Sequence, residues 1–403
     1  MRILYVTQGF PEPRMAGGQI AAYYNVLQLA RAGHDVTVHS LVDASSRTGP
    51  GRIAEIARVV PFEGVPPNSL ANYAANLLDP LPWPIRRYAS REFASRTADL
   101  AASDDCDLVL FNSLHSATAL PAVRAATRAP CLLVAHNVQS TIMRLYAEFQ
   151  PGPARRLYAS LQWRKMLSFE RRACAEFDLV TAYSDVDRSE LEALAPGAHV
   201  RAIPLRLDVR SIAEGSAEED LDLLFVGYLG WAPNLDSLRW FLDAIFGLVG
   251  ERRPETELTI AGAGAPPWVE QAADGSENVR FLGPVEGVHN LFRRSRVLVV
   301  PLRIGSGVRV KIIEAMAAGR AVVSTSKGCE GLDVSPGRHL EIADTPEAFA
   351  DAVVALLESP GRRAELGERG RRRALERHDA LAARTELTAI CEELGAEGRR
   401  GKE

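Results

Sequence analysis

The segment GSGVRVKIIE, residues 305–314, places glycines next to basic side chains and one carboxylate. It follows the apolar run VLVVPL, residues 297–302, which predicts a buried strand, and a helix is predicted to start near Gly307. A helix N-terminus presents unpaired N–H groups and the positive end of the helix dipole, and glycines let a phosphate approach the backbone. The segment therefore predicts a diphosphate site that is formed by Gly305, Ser306, Gly307 and Val308.

The side chains after these glycines have matching chemistry. Arg309 and Lys311 add positive charge, and Glu314 shares a helix face with Lys311, so its carboxylate could accept hydrogen bonds from ribose hydroxyls. Because Arg309 and Lys311 are two residues apart, they point in different directions from a regular helix, and one of them is expected to serve an ion pair or the wall of the site. The alternative is a capped surface helix whose Lys–Glu pair contributes a few tenths of a kcal/mol.

The N-terminal half offers a second group of candidates. Gly17 and Gly18 follow the first predicted strand and open its helix, and His136 ends the apolar run APCLLVAH, residues 129–136. The Gly-Gly pair is not the dinucleotide fingerprint, because a third glycine and the acidic end of the second strand are missing. His136 is predicted either as a site residue at a strand's carboxyl end or as a structural histidine.

Short apolar runs alternate with helical patterns along the chain, which is typical of α/β domains with parallel sheets. The pattern restarts after residue 220, and the stretch 205–220 is predicted as a polar linker without a buried pattern. We therefore predict two doubly wound, Rossmann-like domains that face a central cleft, at 1–205 and 206–374. Whether a helix predicted at about 375–395 packs back on the first domain is left open. Residues 60–100 contain many prolines and are predicted to be less regular, without a long element.

Composition and charge argue against several classes of protein. The chain has 403 residues and a net charge of -4, which argues against a strongly basic nucleic-acid binder. The five cysteines are scattered, without metal-ligand spacing, so neither a disulfide framework nor a zinc site is expected and a cytoplasmic location is the default. The N-terminus is predicted as a strand and not as a signal peptide, and no apolar run is long enough to span a bilayer.

These segments, in this order, resemble the retaining glycosyltransferases of family 4, which have the GT-B fold. The resemblance covers the opening strand and Gly-Gly helix, the turn ARAGHDV, the segment FDLVTAYS, the start of the second domain at DLLFVGYLG, and VLVVPLRIGSGVRVKIIEAMAAG. It implies transfer of a sugar from a nucleotide-diphosphate donor to an acceptor hydroxyl with retention of configuration and without a metal or another cofactor. It also implies that the first domain binds the acceptor and the second the donor.

The resemblance assigns roles residue by residue. Glu314 is expected to hold the ribose, and His136 to contact the transferred sugar. Lys311 and Arg309 are expected to offset the charge of the leaving diphosphate. The glycines at the ends of strands, Gly17, Gly18 and Gly227, are expected to lie against the donor.

Three features depart from the family. Where the family often has a glutamate, eight residues before Glu314, this chain has Ser306, which leaves the identity of the sugar open. The basic residues that usually follow the second domain's first strand are absent before Arg239. The linker begins IPLRLD. We expect Arg309 and Lys311 to supply the missing charge, as in a branch of the family with the pattern G-x-G-x-R-x-K-x-x-E.

Other motifs are less specific. Asp-x-Asp, a metal-diphosphate motif in other glycosyltransferases, occurs three times in this acidic chain, at 105–107, 185–187 and 220–222, and no metal is expected. Trp83, Arg86, Arg87 and Tyr88 are predicted either to pack a proline-broken loop or to contact an acceptor or an anionic membrane surface. Weak peripheral contact with the inner membrane face is thus left open.

Two other functions remain compatible with the sequence. A nucleotide-sugar epimerase or hydrolase would use the same fold, and a non-catalytic nucleotide-sugar-binding protein would explain the serine at position 306. The nucleotide base, the sugar, the linkage and the oligomeric state do not follow from the sequence. The acceptor is expected to be a glycan, a lipid-linked sugar or a small molecule.

Overall fold

The computed structural model describes residues 1–12, 17–42, 51–66, 68–150, 152–212, 219–381 and 385–400. The chain divides into two compact units. The first contains Met1–Arg206 together with the chain from Ala380 onward, and the second contains Leu207–Asp379.

The first unit is built on a seven-stranded parallel sheet in the order β3-β2-β1-β4-β5-β6-β7. Its strands are β1 (Arg2–Gln8), β2 (Asp35–Val42), β3 (Arg58–Glu63), β4 (Leu108–Asn112), β5 (Cys131–Ala135), β6 (Leu179–Ala182) and β7 (Val200–Ala202). Its helices are α1 (Gly17–Arg31), α2 (Leu70–Ala75), α3 (Trp83–Arg86), α4 (Arg91–Ser103), α5 (Leu120–Ala126), α6 (Gln139–Glu148), α7 (Pro153–Glu176) and α8 (Asp185–Leu194), and the last helix of the chain, Glu386–Arg400, belongs here too.

The second unit has a six-stranded parallel sheet in the order β10-β9-β8-β11-β12-β13. Its strands are β8 (Leu221–Val226), β9 (Leu258–Ala261), β10 (Val279–Phe281), β11 (Ser295–Val300), β12 (Ala321–Ser324) and β13 (Glu341–Ile342). Its helices are α9 (Ala232–Trp240), α10 (Phe246–Arg252), α11 (Pro267–Asp274), α12 (Val288–Arg294), α13 (Val310–Ala317), α14 (Pro346–Glu358) and α15 (Pro360–His378), which makes the last helix of the chain α16.

The central strands are those that the apolar runs predict. All residues of β4, β5, β9 and β12 are buried, because helices cover both faces of each sheet. The prediction of two parallel α/β domains is therefore confirmed. None of the described helices combines the length and the apolar character that crossing a membrane requires.

Two predictions about irregular segments were wrong. The region 60–100 contains part of β3 and the helices α2, α3 and α4. As the edge strand of its sheet, β3 has mixed exposure and thus no continuous apolar run to reveal it. Helix α4 begins at Arg91, just after the prolines, and Ser90 caps it by accepting a hydrogen bond from the N–H of Phe93.

The start of the predicted linker is not a polar connection. Leu205, Leu207, Val209 and Ile212 are buried, and residues 213–218 lie outside the described residues. Leu207 donates its N–H to the carbonyl of His378 at 2.8 Å, in a short bridge beside the end of α15. The leucines and valine alternate with polar residues from 205 to 209, which is a strand pattern that a reading by overall polarity misses.

Helix α15 packs closely against the turn that ends α13. A Cβ atom added at Gly367 of α15 would lie 2.1 Å from the carbonyl oxygen of Gly319, so only glycine allows this approach. Since α13 carries the candidate residues Lys311 and Glu314, this contact helps to fix the helix that positions them.

Gly367→Ala is expected to lower the free energy of unfolding by about 1–3 kcal/mol, because a backbone atom and not a flexible side chain must move. Denaturant titration measures the change. Gly361→Ala, on the same helix where an added Cβ meets nothing within 4 Å, is the matched control and should be neutral or slightly stabilising. Equal stability of both variants would contradict the close contact.

Candidate active site

The candidate residues lie at the carboxyl ends of strands in both units. Gly17 and Gly18 begin α1, and His136 follows β5 in the first unit. In the second unit Gly227 follows β8, and the loop 305–308 joins β11 to α13. Ligands of open α/β sheets bind at this edge, so each unit has a candidate site of the expected kind.

In the first unit, His136 is fixed by an amide. Its Nε2 lies 2.7 Å from Oδ1 of Asn112, which also accepts a hydrogen bond from the hydroxyl of Tyr5 at 2.8 Å. Because this oxygen only accepts, we assign the imidazole proton to Nε2. The other nitrogen, Nδ1, is then an acceptor, and a Cβ at Gly18 would lie 3.4 Å from it. The structure thus brings Gly18 and His136 together.

The network behind His136 is buried and polar. Asn25 of α1 donates to the hydroxyls of Tyr183, at 2.9 Å, and Tyr5, at 3.4 Å. Burial raises the pKa of both tyrosines, so they remain neutral donors. A satisfied network of this kind holds the histidine ring in one orientation.

Burial also keeps His136 neutral. Its pKa is lowered to about 4, first by desolvation and then by the nearby His115, whose own pKa burial lowers to about 4. At pH 7 the imidazole is therefore a neutral hydrogen-bonding group and not a cation. Ser113, whose hydroxyl lies 3.4 Å from Nδ1 of His115, adopts a φ of 75°, an uncommon conformation for a residue other than glycine.

A buried carboxylate anchors the segment after His136. Glu170 of α7 accepts hydrogen bonds from the N–H groups of Gln139 and Ser140, each at 2.8 Å, and so caps the first turn of α6. Burial raises the pKa of Glu170 to about 7, although these hydrogen bonds favour its charged form. The position of His136 thus depends on a residue 34 positions later in the chain.

In the second unit, Lys311 points back to the end of β8. Its Nζ lies 3.2 Å from Oδ1 of Asn234 and 5.2 Å from the centre of the Phe225 ring. A Cβ at Gly227 would be 3.0 Å from this Nζ and 2.8 Å from the Asn234 amide nitrogen. Glycine at position 227 therefore leaves the room that Lys311 and Asn234 occupy.

The ammonium group of Lys311 is poorly solvated. Burial, and then the charge of Arg309, lower its pKa to about 7, while Glu314 acts in the opposite direction. A lysine whose pKa burial lowers in this way favours an anionic ligand, because the ligand would stabilise the charged form.

Glu314 and Arg309 have different surroundings. Glu314 is buried, and its Oε1 lies 3.1 Å from Nε2 of His289 on α12. Arg309 precedes α13 and is also buried; its Nη1 donates to the carbonyls of Ser306 and Gly307. The structure thus directs Arg309 to the loop backbone, while Lys311 is partly exposed.

The loop itself is tightly folded. Gly305 and Gly307 have φ values of 151° and 82°, which side-chain-bearing residues rarely adopt. Ser306 between them is only 3% exposed, and of the four loop residues Val308 alone is partly exposed. The helix starts at Val310 and not near Gly307 as the sequence predicts, because Arg309 has an extended backbone.

Several residues of these sites have no signal in the sequence. They are the partners that the fold brings in from distant segments: Tyr5, Asn25, Asn112, Glu170, Asn234 and His289. Of these, Asn112 ends a predicted strand, and that position at the sheet edge was the one available signal.

The aspartate pairs have partners within the protein. The aspartates at 105–107 pair with Arg2 and Arg399, and those at 220–222 pair with Arg294 and Arg296. The aspartates at 185–187 lie in the first turn of α8. Within the described ranges, no group of three or more His, Cys, Asp or Glu side chains could hold a metal ion.

The aromatic and basic cluster at 83–88 is also internally bonded. Trp83 donates through Nε1 to Asn68 at 3.0 Å, and Arg86 pairs with Asp79 at 2.8 Å. Arg87 donates to the carbonyl of Pro66 at 2.8 Å. These contacts favour the packed-loop interpretation of the cluster.

Comparison with known proteins identifies the family. The profile described as "Glycosyltransferase Family 4" matches residues 15–210, and the one described as "Glycosyl transferases group 1" matches residues 220–359. The two matches follow one another and together cover most of the chain.

Two curated relatives match this chain over different shares of their own length. A 44.6 kDa protein of the cps region of Klebsiella pneumoniae is 24% identical over 369 residues, which are 88% of this chain and 90% of that protein. The phosphatidyl-myo-inositol mannosyltransferase of Mycobacterium tuberculosis is 29% identical over 232 residues, 54% of this chain and 60% of the relative. The match thus spans about three fifths of the mannosyltransferase.

Solved structures share the fold at low identity. The HepE protein of Anabaena, in complex with UDP-glucose, superposes with a TM-score of 0.72 at 14% identity, over 98% of this chain and 100% of that one. Sucrose-phosphate synthase of Thermosynechococcus elongatus has a TM-score of 0.71 at 16% identity, over 98% of each chain. The two profile matches show that the chain belongs to the glycosyltransferases, with a family 4 segment followed by a group 1 segment, and the solved structures show that it has the GT-B fold.

Proposed function

We propose that this glycosyltransferase moves a sugar from a nucleotide-diphosphate donor to an acceptor hydroxyl, with retention of configuration and without a metal. The observation that carries the proposal is Lys311, a partly buried lysine whose ammonium group lies beside Asn234 and whose pKa is lowered, next to a glycine-rich loop at the carboxyl edge of a parallel sheet. A nucleoside diphosphate is the kind of ligand that this chemistry favours.

The proposal assigns donor binding to the second unit. Lys311 contacts the diphosphate, and Arg309 holds the loop 305–308 in place and adds positive charge. Glu314, kept in position by His289, accepts hydrogen bonds from the ribose. Neighbours of the same fold crystallised with UDP and with UDP-glucose support a nucleotide-sugar donor.

Acceptor binding and the contact with the transferred sugar belong to the first unit. His136 is neutral and oriented by Asn112, so it can hydrogen-bond a sugar hydroxyl without adding charge. A neutral group is suited to this place, because the charge that develops in the reaction lies on the leaving diphosphate. The mannosyltransferase relative, named for a phosphatidyl-inositol acceptor, makes lipid-linked acceptors the first to test.

The proposal is tested by a panel of UDP, GDP, ADP and TDP and their common sugars, followed by thermal shift, first with EDTA and then with Mg²⁺. One nucleotide series should raise the unfolding temperature, because a ligand that binds the native state stabilises it. Turnover with that donor should continue in EDTA, and the product should keep the donor's anomeric configuration by NMR.

Other outcomes of this panel would decide against the proposal. Turnover that Mg²⁺ alone restores would overturn metal independence. An inverted product would overturn retention. Donor hydrolysis or epimerisation that no acceptor changes would favour the alternative enzymes, and binding without any turnover would favour a non-catalytic protein.

Lys311→Met is expected to change the stability and the donor affinity in opposite directions at pH 6. The folded pKa of Lys311 is about 7, and that of an unfolded lysine is about 10.4. Between these values the unfolded chain holds more protons, so wild-type stability should rise as the pH is raised from 7 towards 10. The variant should lose this rise, be more stable than wild type at pH 6, and bind the nucleoside diphosphate more weakly.

Denaturant titrations at several pH values, together with calorimetric binding, measure both effects. Lys327→Met removes another lysine of the second unit, one that pairs with Glu330, and should leave the nucleotide affinity unchanged. A less stable Lys311→Met variant with normal affinity would mean that Lys311 has a structural role.

Glu314 and His136 should affect different kinetic constants. Glu314→Gln should weaken nucleotide binding about tenfold to a hundredfold, because it replaces a charged hydrogen-bond acceptor. His136→Ala should lower kcat by about 10²–10³ and leave the donor KM nearly unchanged. Steady-state kinetics separate the two, with exposed Glu347→Gln and His199→Ala as matched controls. Wild-type kinetics in both site variants would remove the assignment.

A further inference from the structure

Helix α7 stands out for arginines without acidic partners. Most arginines of the described chain form ion pairs with carboxylates, but none of the exposed arginines of α7 pairs with a described carboxylate. These are Arg155, Arg156, Arg164, Arg171 and Arg172. Their charges therefore remain available to an outside partner.

Nearby acidic residues do not neutralise this helix. Glu170 is buried and caps α6, and Glu176 lies at the carboxyl end of α7. Asp79 pairs with Arg86, and Glu148 pairs with Arg144. The exposed face of α7 is thus strongly basic within a chain of net charge -4.

Exposed leucines share this face. Leu157, Arg164 and Arg171 are spaced by seven residues and lie along one side of the helix, with Leu167 beside them. Leu157 is 74% exposed. From Leu157 to Arg171 the face extends over about 21 Å.

A neighbouring turn adds two more leucines. Lys165 of α7 donates through Nζ to the carbonyls of Asn76 and Leu77, at 2.6 and 3.1 Å, which places the turn after α2 against the helix. Leu77 is half exposed and Leu78 is 95% exposed. Of the eight strongly exposed large apolar side chains among the described residues, Leu77, Leu78, Leu157 and Leu167 are therefore four.

We propose that this α7 surface, formed by the exposed leucines and arginines of α7 and by the Leu77–Leu78 turn, binds the anionic face of a lipid bilayer. Arginines between protruding leucines along one helix face are typical of helices that lie in the headgroup region, with the leucines inserted and the arginines on anionic headgroups. Protein interfaces combine arginines with aromatic side chains, and none of the exposed residues of this surface is aromatic. This proposal goes beyond the proposed sugar transfer, because vesicle binding requires no donor.

Vesicle sedimentation of the full chain tests the proposal. The chain should bind vesicles of mixed phosphatidylcholine and phosphatidylglycerol, should not bind phosphatidylcholine alone, and should dissociate as salt is raised. Each arginine removed should weaken binding about fivefold. The variant R156Q/R164Q/R171Q should therefore bind roughly 100-fold more weakly.

Two further variants complete the design. L78S/L157S should weaken binding about tenfold or more, because it removes the inserted apolar groups. R188Q/R369Q/R372Q loses the same charge from one partly exposed arginine on α8 and two exposed arginines on α15 and should bind as wild type does. Unchanged thermal unfolding in all three variants verifies that they fold.

Three results would overturn the proposal. The first is a wild-type chain that ignores anionic vesicles. The second is an equal loss of binding in the control and the α7 variants, which would mean a general effect of charge. The third is a change of oligomeric state in L78S/L157S by sedimentation velocity without vesicle binding in wild type, which would make the α7 surface a protein interface.

Discussion

Partly burying the ammonium group of Lys311 costs free energy, and several residues of the second unit reduce that cost. The missing side chain at Gly227 leaves the space, the amide of Asn234 accepts one hydrogen bond, and the Phe225 ring lies below the charge. None of these neighbours carries a negative charge. Of the charged neighbours that affect this pKa, only Glu314, one helical turn later, favours the charged form, so the site has a deficit of negative charge that a phosphate could fill.

In the first unit, too, buried neutral groups surround the candidate side chain. There the side chain at the sheet edge, His136, is kept neutral, and its orientation depends on buried neutral groups. Asn112, which Tyr5 holds, fixes one ring nitrogen, and Glu170 fixes the backbone that follows. One site thus offers a partly buried positive charge and the other a neutral hydrogen-bonding ring, which suits the different charges of a diphosphate and a sugar hydroxyl.

The sequence predicts the strands at the centre of each sheet and the glycines at their ends, because burial on both faces leaves continuous apolar runs. It does not predict the edge strand β3, whose exposure is mixed, or the buried start of the linker. The side-chain networks escape prediction because their members are far apart in the chain, as Tyr5 and Asn112 are. The position of Arg309 was not predicted, for a local reason. The prediction places Arg309 and Lys311 two residues apart on one regular helix, but Arg309 precedes that helix.

The path of the chain between the units has a consequence for how the protein is made. The chain leaves the first unit after Arg206 and returns to it at Ala380, so that α16 is synthesised after the whole of the second unit. There, Glu386 and Glu393 pair with Arg206 and Arg201. The second unit is therefore continuous and can complete its fold on the ribosome while the first still lacks a helix. The nascent first unit must wait, with the surface that α16 later covers exposed, until α16 has been synthesised.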